Sequence, residues 1–180
     1  KSFAADTLFT FGSQILVILV SLFTAGIIAR GLGPEGRGIY SLAILLPSLS
    51  VVFTQFGIGA ASIYFLGRKK YKPSEILGNN IIYLIFFSII AVSIGFFVIF
   101  FLSNIFPGVD KKYLFLSLLI IPLQHGLNFI LNILLGLGRV EKYNMVTFLQ
   151  NLFFLILLVF LFLKFLTVSS VIICQAISLL

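Results

Sequence analysis

The run Ile76-Leu-Gly-Asn-Asn-Ile-Ile-Tyr-Leu-Ile-Phe-Phe-Ser-Ile-Ile-Ala-Val-Ser-Ile-Gly-Phe-Phe-Val-Ile-Phe-Phe-Leu-Ser103 contains no Asp, Glu, Lys or Arg. It exceeds the about 20 apolar residues that an α-helix needs to cross a bilayer. A barrel strand would need only about 10, in strict alternation, which this run does not show. In hydrocarbon every backbone donor must be satisfied by the protein, and a helix does this within itself. The stretch therefore reads as a membrane-spanning helix.

The rest of the chain repeats the pattern. Uncharged runs cover 8–29, 39–66, 113–136 and 144–163, and another begins near 170. The expectation is an all-α, polytopic membrane bundle of five whole helices and a sixth cut short, within a single unit over 1–180. The composition agrees, because 61% of the 180 residues are hydrophobic and 9% are charged, against about 25% charged in an ordinary globular domain. Turn residues mark the joints at Gly31–Gly38, Lys72–Glu75, Asn104–Asp110 and Gly136–Arg139. Connections this short make neighbouring helices antiparallel.

Charge narrows the partners. The net charge of +7 lies in clusters between apolar runs, not in a basic stripe with interleaved aromatics, so nucleic acid is excluded as a partner and membrane lipid is expected. With the N-terminus in the cytoplasm, that side holds Lys1, Arg68, Lys69, Lys70, Lys72, Arg139 and Lys142, and the other side Arg30, Arg37, Lys111, Lys112 and Lys164. Seven against five, led by the 68–72 cluster, places the N-terminus inside. Cys174 is the single cysteine, which rules out a disulfide within the chain and a cysteine metal cluster. No cofactor is expected.

Polar residues inside the apolar runs are the functional candidates, since lipid has no use for them. Thr10, Ser13, Gln14, Ser21 and Thr24 share a face of the first run; Ser41, Ser48, Gln55 and Ser62 recur every seven residues in the second. The fourth carries Gln124, His125, Asn128 and Asn132, and the fifth Asn144, Thr147, Gln150 and Asn151. Hydroxyls also serve close helix packing and bond back to their own helix. The amides Gln14, Gln55, Asn128, Asn132 and Asn151 point more strongly to a shared, hydrated cavity. His125 has two readings, a proton-coupling group or a neutral ring bonded to a neighbouring amide. No complete run contains an acid, which argues against a carboxylate-based cation site. Pro47, Gly57, Gly59 and Pro122 are candidate bends.

Gly31-x-Gly33-x-x-Gly36 matches the dinucleotide fingerprint, but that motif needs a preceding strand, and here a helical span stands on each side. No GxSxG, HExxH or Walker pattern occurs, and no catalytic residue is assigned.

The longer stretch Gly26-Ile-Ile-Ala-Arg30-Gly-Leu-Gly33-Pro34-Glu-Gly36-Arg-Gly38-Ile-Tyr-Ser41 resembles the first-to-second-helix signature of Wzx-type polysaccharide flippases, a branch of the multidrug/oligosaccharidyl-lipid/polysaccharide (MOP) exporter superfamily. Two further stretches fit, Gln55-Phe-Gly57-Ile-Gly59-Ala-Ala-Ser-Ile-Tyr64 and Leu135-Gly-Leu-Gly138-Arg139-Val-Glu-Lys-Tyr143-Asn144. The resemblance implies a transporter of about 12–14 helices in two lobes working by alternating access, of which this chain would be the N-terminal lobe. It implies an undecaprenyl-diphosphate-linked oligosaccharide as substrate, the cytoplasmic membrane as location, a place beside polysaccharide polymerase machinery and no enzymatic activity.

On that reading Arg30 meets the diphosphate or closes the outer gate, although snorkelling at a helix end would also account for it. Gln14, Ser21, Thr24, Gln55, His125, Asn128, Asn132 and Asn151 line the cavity, and Gly33, Pro34, Gly36 and Arg37 form the gating loop. Related lipid II flippases carry further arginines where this chain has Ile18 and Thr24, which points away from the peptidoglycan precursor. The competing readings are a drug or metabolite antiporter, which should use an intramembrane acid, and a membrane acyl- or glycosyltransferase built on His125, which should show a second catalytic group.

Overall fold

A computed structural model describes residues 3–69, 71–163 and 166–180. Lys1, Lys70 and Lys164, which enter the charge count above, lie outside the described residues. All regular structure among those residues is helical: α1 (Phe3–Thr54), α2 (Ile58–Gly67), α3 (Pro73–Phe101), α4 (Lys111–Ser117), α5 (Ile120–Gly136), α6 (Val140–Phe162) and α7 (Val168–Ser178), with one 3-10 turn at Ser103–Ile105.

The first two expected spans are joined without a loop. Gly33 (φ 69, ψ −180) is the one non-helical residue inside α1 and divides it into arms 3–32 and 34–54. A side chain at this backbone conformation would clash, so glycine is needed here. Pro34 adds to the break, because it disfavours the helical conformation in the residue before it.

Contacts between helices give their directions. Thr10 meets Asn144 and Gly31 meets Phe162, so arm 3–32 runs parallel to α6. Gln150 meets Ser178, as expected if α7 returns antiparallel to α6. Gly36 lies by Val168 and Tyr40 bonds Gln175, so arm 34–54 runs with α7. The two arms therefore form an antiparallel hairpin about Gly33.

The second expected span, 39–66, is two helices and not one. Phe56 (φ 40) and Gly57 (φ 72) are left-handed, and the helix stops at Thr54 and restarts at Ile58. Leaving a carbonyl unpaired in hydrocarbon is costly. Here the Thr54 carbonyl, which loses its helical donor, accepts the hydroxyl of Tyr83 from α3.

The fourth span is interrupted at Leu118 and Leu119, and the cause is Pro122. Proline has no N–H to give the Leu118 carbonyl. The Ile121 N–H takes that oxygen instead at 3.1 Å, a three-residue closure that tightens the turn between α4 and α5.

Helices approach closely where small residues allow it, as expected in lipid where apolar burial alone cannot drive association. Gly136 of α5 faces Leu66 and the Ile63 backbone of α2, and Gly95 of α3 faces Leu118. Ala43, Ala91, Ile99, Leu114, Ile121 and Ile172 are buried in the main core, and Ile28, Phe154, Leu158, Val171 and Cys174 in a second. Large apolar side chains such as Phe53, Phe101 and Leu163 point outward. Thr10–Thr54, Ser74–Phe101, Lys111–Gly136 and Val140–Phe162 are each long and apolar enough to cross a membrane. An apolar exterior over spans of this length is that of a multi-pass membrane protein.

Candidate functional site

Some of the polar candidates meet near the break in the second span. A pocket of about 240 Å³ lies between arm 34–54, α5 and α7. Ser48, Gln55, Gln124, Asn128 and Gln175 supply its polar lining, and Pro47, Val51, Val52 and Ile120 its apolar walls.

None of the lining side chains is charged. Gln124 Nε2 donates to Asn128 Oδ1 at 3.2 Å, and Tyr40 donates its hydroxyl to Gln175 Oε1 at 2.5 Å. These bonds leave the Gln124 carbonyl oxygen and the Asn128 and Gln175 amino groups as further acceptor and donors. A neutral surface with both roles suits hydroxyl groups better than an ion. Ser48 is turned back, its hydroxyl donating to the Ile44 carbonyl at 2.8 Å.

His125 is buried behind the pocket wall. Its Nε2 lies 3.0 Å from Thr54 Oγ1, and its ring stacks on Phe129 at 6.4 Å between centroids. Thr54 Oγ1 itself donates to the Ser50 carbonyl at 2.6 Å, which leaves its lone pairs for a protonated ring nitrogen. Tyr83 closes the cluster, packed between Phe87 and Phe129. Asn132 lies against Gly59, one turn further along, where a side chain at 59 would collide with its amide.

The remaining expected site residues lie elsewhere. Gln14 and Ser21 are exposed on arm 3–32, while Thr24 is buried and bonds the Val20 carbonyl at 2.8 Å. Asn151 bonds the Thr147 carbonyl of its own helix at 2.8 Å and Gln150 at 3.2 Å. Arg30 and Arg37 are exposed on either side of the hairpin formed by Gly33, Pro34 and Gly36. Ser48 is about 22 Å along the helix from Gly33, at 1.5 Å per residue. The arginines and the amide pocket are thus separate features. Gln175 joins the pocket unannounced, since it is a lone amide in a short apolar run, and Tyr40 only bonds it.

The described residues contain no group of three or more His, Cys, Asp or Glu side chains able to hold a metal. The sequence profile of a family described as "Polysaccharide biosynthesis protein" matches residues 3–180. The chain belongs to that family. Polysaccharide biosynthesis proteins of this kind are transporters of the MOP superfamily and are in general not enzymes. Membership of the family supports a polysaccharide-transporter role for this membrane bundle. No curated protein and no solved structure matches the chain.

Proposed function

We propose that this polysaccharide transporter is a flippase for polyprenyl-diphosphate-linked oligosaccharide, of which 1–180 is the N-terminal lobe. The observation that supports this most directly is the amide pocket at the broken second span. Discontinuous helices recur at transporter substrate sites, because the break exposes polar groups to a cavity while neighbours satisfy the rest. Gln55, Gln124, Asn128 and Gln175 offer neutral hydrogen-bonding partners to sugar hydroxyls, and Asn132 stands one turn away. Arg30 and Arg37 at the hairpin serve the diphosphate or the gate, with the guanidinium fork suited to phosphate oxygens. The protein works in the cytoplasmic membrane with its N-terminus inside, delivers glycan to polymerase machinery and uses no cofactor.

The test is a Gln55→Leu/Asn128→Leu double substitution in the intact protein, with surface glycan and intracellular lipid-linked oligosaccharide measured at matched expression. Loss of surface glycan with accumulation of the lipid-linked precursor is expected. Normal surface glycan would remove the pocket from the transport path.

A further inference from the structure

A second cavity of about 560 Å³ lies between the α2–α3 and α5–α6 connections. We propose that it binds the head of an anionic glycerophospholipid, with Lys69 taking the phosphate. Leu66, Leu135 and Leu137 supply its apolar lining, and Lys69 and Tyr71 line it beside them. Each connection is shaped by a left-handed residue lining the cavity, Lys69 (φ 52) on one and Gly138 (φ 68) on the other. Glycine adopts that conformation freely, whereas lysine adopts it rarely. The Lys69 N–H is held by the Leu66 carbonyl at 3.0 Å, which fixes the lysine in this unusual turn beside the cavity. Gly136, which also lines the cavity, packs on Leu66 and the Ile63 backbone.

The occupant follows from the chemistry of this lining. An apolar lining with a cation beside it, at the end of membrane-spanning helices, fits an amphiphile: glycerol and acyl carbons against the leucines, phosphate against the lysine. Free inorganic phosphate would make no use of the leucines. A diphosphate carries more charge and calls for an arginine fork. Arg68 lies over the Tyr64 ring at 4.9 Å, and neither it nor Arg139 lines the cavity. A single lysine, a point charge, matches a phosphodiester. Around it Lys72, Arg68, Arg139 and Lys142 outnumber Glu75 and Glu141, which keeps the local field attractive to anionic lipid. This site stands independently of the cargo.

The experiment uses the intact protein in phosphatidylcholine nanodiscs doped with phosphatidylglycerol, with retained lipid counted by native mass spectrometry. Preferential retention of phosphatidylglycerol is expected, falling roughly fivefold in Lys69→Asn. Asparagine tolerates the left-handed backbone, so this variant removes the charge and keeps the turn. Lys112→Asn, at the opposite end of the bundle, should retain phosphatidylglycerol as the unmodified protein does. Equal retention by Lys69→Asn, or no preference over phosphatidylcholine, would overturn the site. So would displacement of phosphatidylglycerol by inorganic phosphate alone, or by equimolar polyprenyl diphosphate, which would assign the cavity to the cargo.

Discussion

Thr54 Oγ1 lies 3.0 Å from Nε2 of His125, so the residue that ends one helix is bonded to the first half of another. Tyr83 binds the carbonyl of the same threonine. Three helices are thereby pinned where the second span is interrupted. The break is a built feature, not a fray.

Tyr83→Phe keeps the ring packing and removes only the hydroxyl, leaving the buried Thr54 carbonyl without that donor. The expected cost is about 1–3 kcal/mol, the penalty of an unsatisfied buried polar group. Thermal unfolding in detergent should show a lowered midpoint. An unchanged midpoint would mean that water or another donor serves the carbonyl.

His125→Leu tests whether the histidine holds structure or moves protons. A structural histidine predicts a lower melting point with glycan export retained in the protein that folds. Loss of export at unchanged stability and expression would instead place His125 in coupling.

Gly136→Ala should destabilise the α2–α5 contact by about 1–3 kcal/mol, as overpacking does. The added carbon would sit 2.8 Å from Leu66 Cβ and 3.1 Å from the Ile63 backbone. Gly12→Ala and Gly26→Ala meet nothing within 4 Å and lie in a helix, so each should be neutral or stabilising by up to about 1 kcal/mol. Comparing the three melting points separates packing glycines from tolerated ones.

Asp110 N-caps α4, accepting the Lys112 N–H at 3.1 Å and pairing with its ammonium at 3.1 Å. These bonds hold its carboxyl below the ordinary carboxylate range, the backbone bond contributing most. A depressed folded-state value means that the cap's contribution is present above the unfolded carboxylate pKa and is lost as pH falls through the folded one. Asp110→Asn keeps a capping oxygen and should abolish the acid-dependent part. A pH series of melting points run on both proteins should show the unmodified protein ahead at neutral pH and the gap closing as pH falls into the acid range.

Hydropathy made the spans legible, because a bilayer imposes length and apolarity on any crossing helix. It could not show which glycines break a helix. Gly57 and Gly59 sit in one apolar run, yet the helix breaks at Gly57 and continues through Gly59. At the break Tyr83, some 30 residues away, supplies a donor to the freed carbonyl, which no local pattern announces. Pro122 was visible as a candidate bend, and its local effect on the Leu118 carbonyl follows from its missing N–H. The amides were legible as a class, but helical periodicity assigns a face and not a partner. Gln55, Asn128 and Gln124 meet, whereas Gln14 lies exposed and Asn151 bonds its own helix. Gln175 lacked any periodic companion and was found only through its neighbours.

The hairpin at Gly33 has a practical consequence for mapping which side of the membrane each connection faces. Reporter tags are placed in loops because loops absorb added residues, but here the turn is a single glycine between two helices. A tag inserted at 33 or 34 would separate the arms and report on a damaged bundle. The connection around Pro107 and Gly108, between the 3-10 turn and α4, is exposed and offers the same side of the membrane without that penalty.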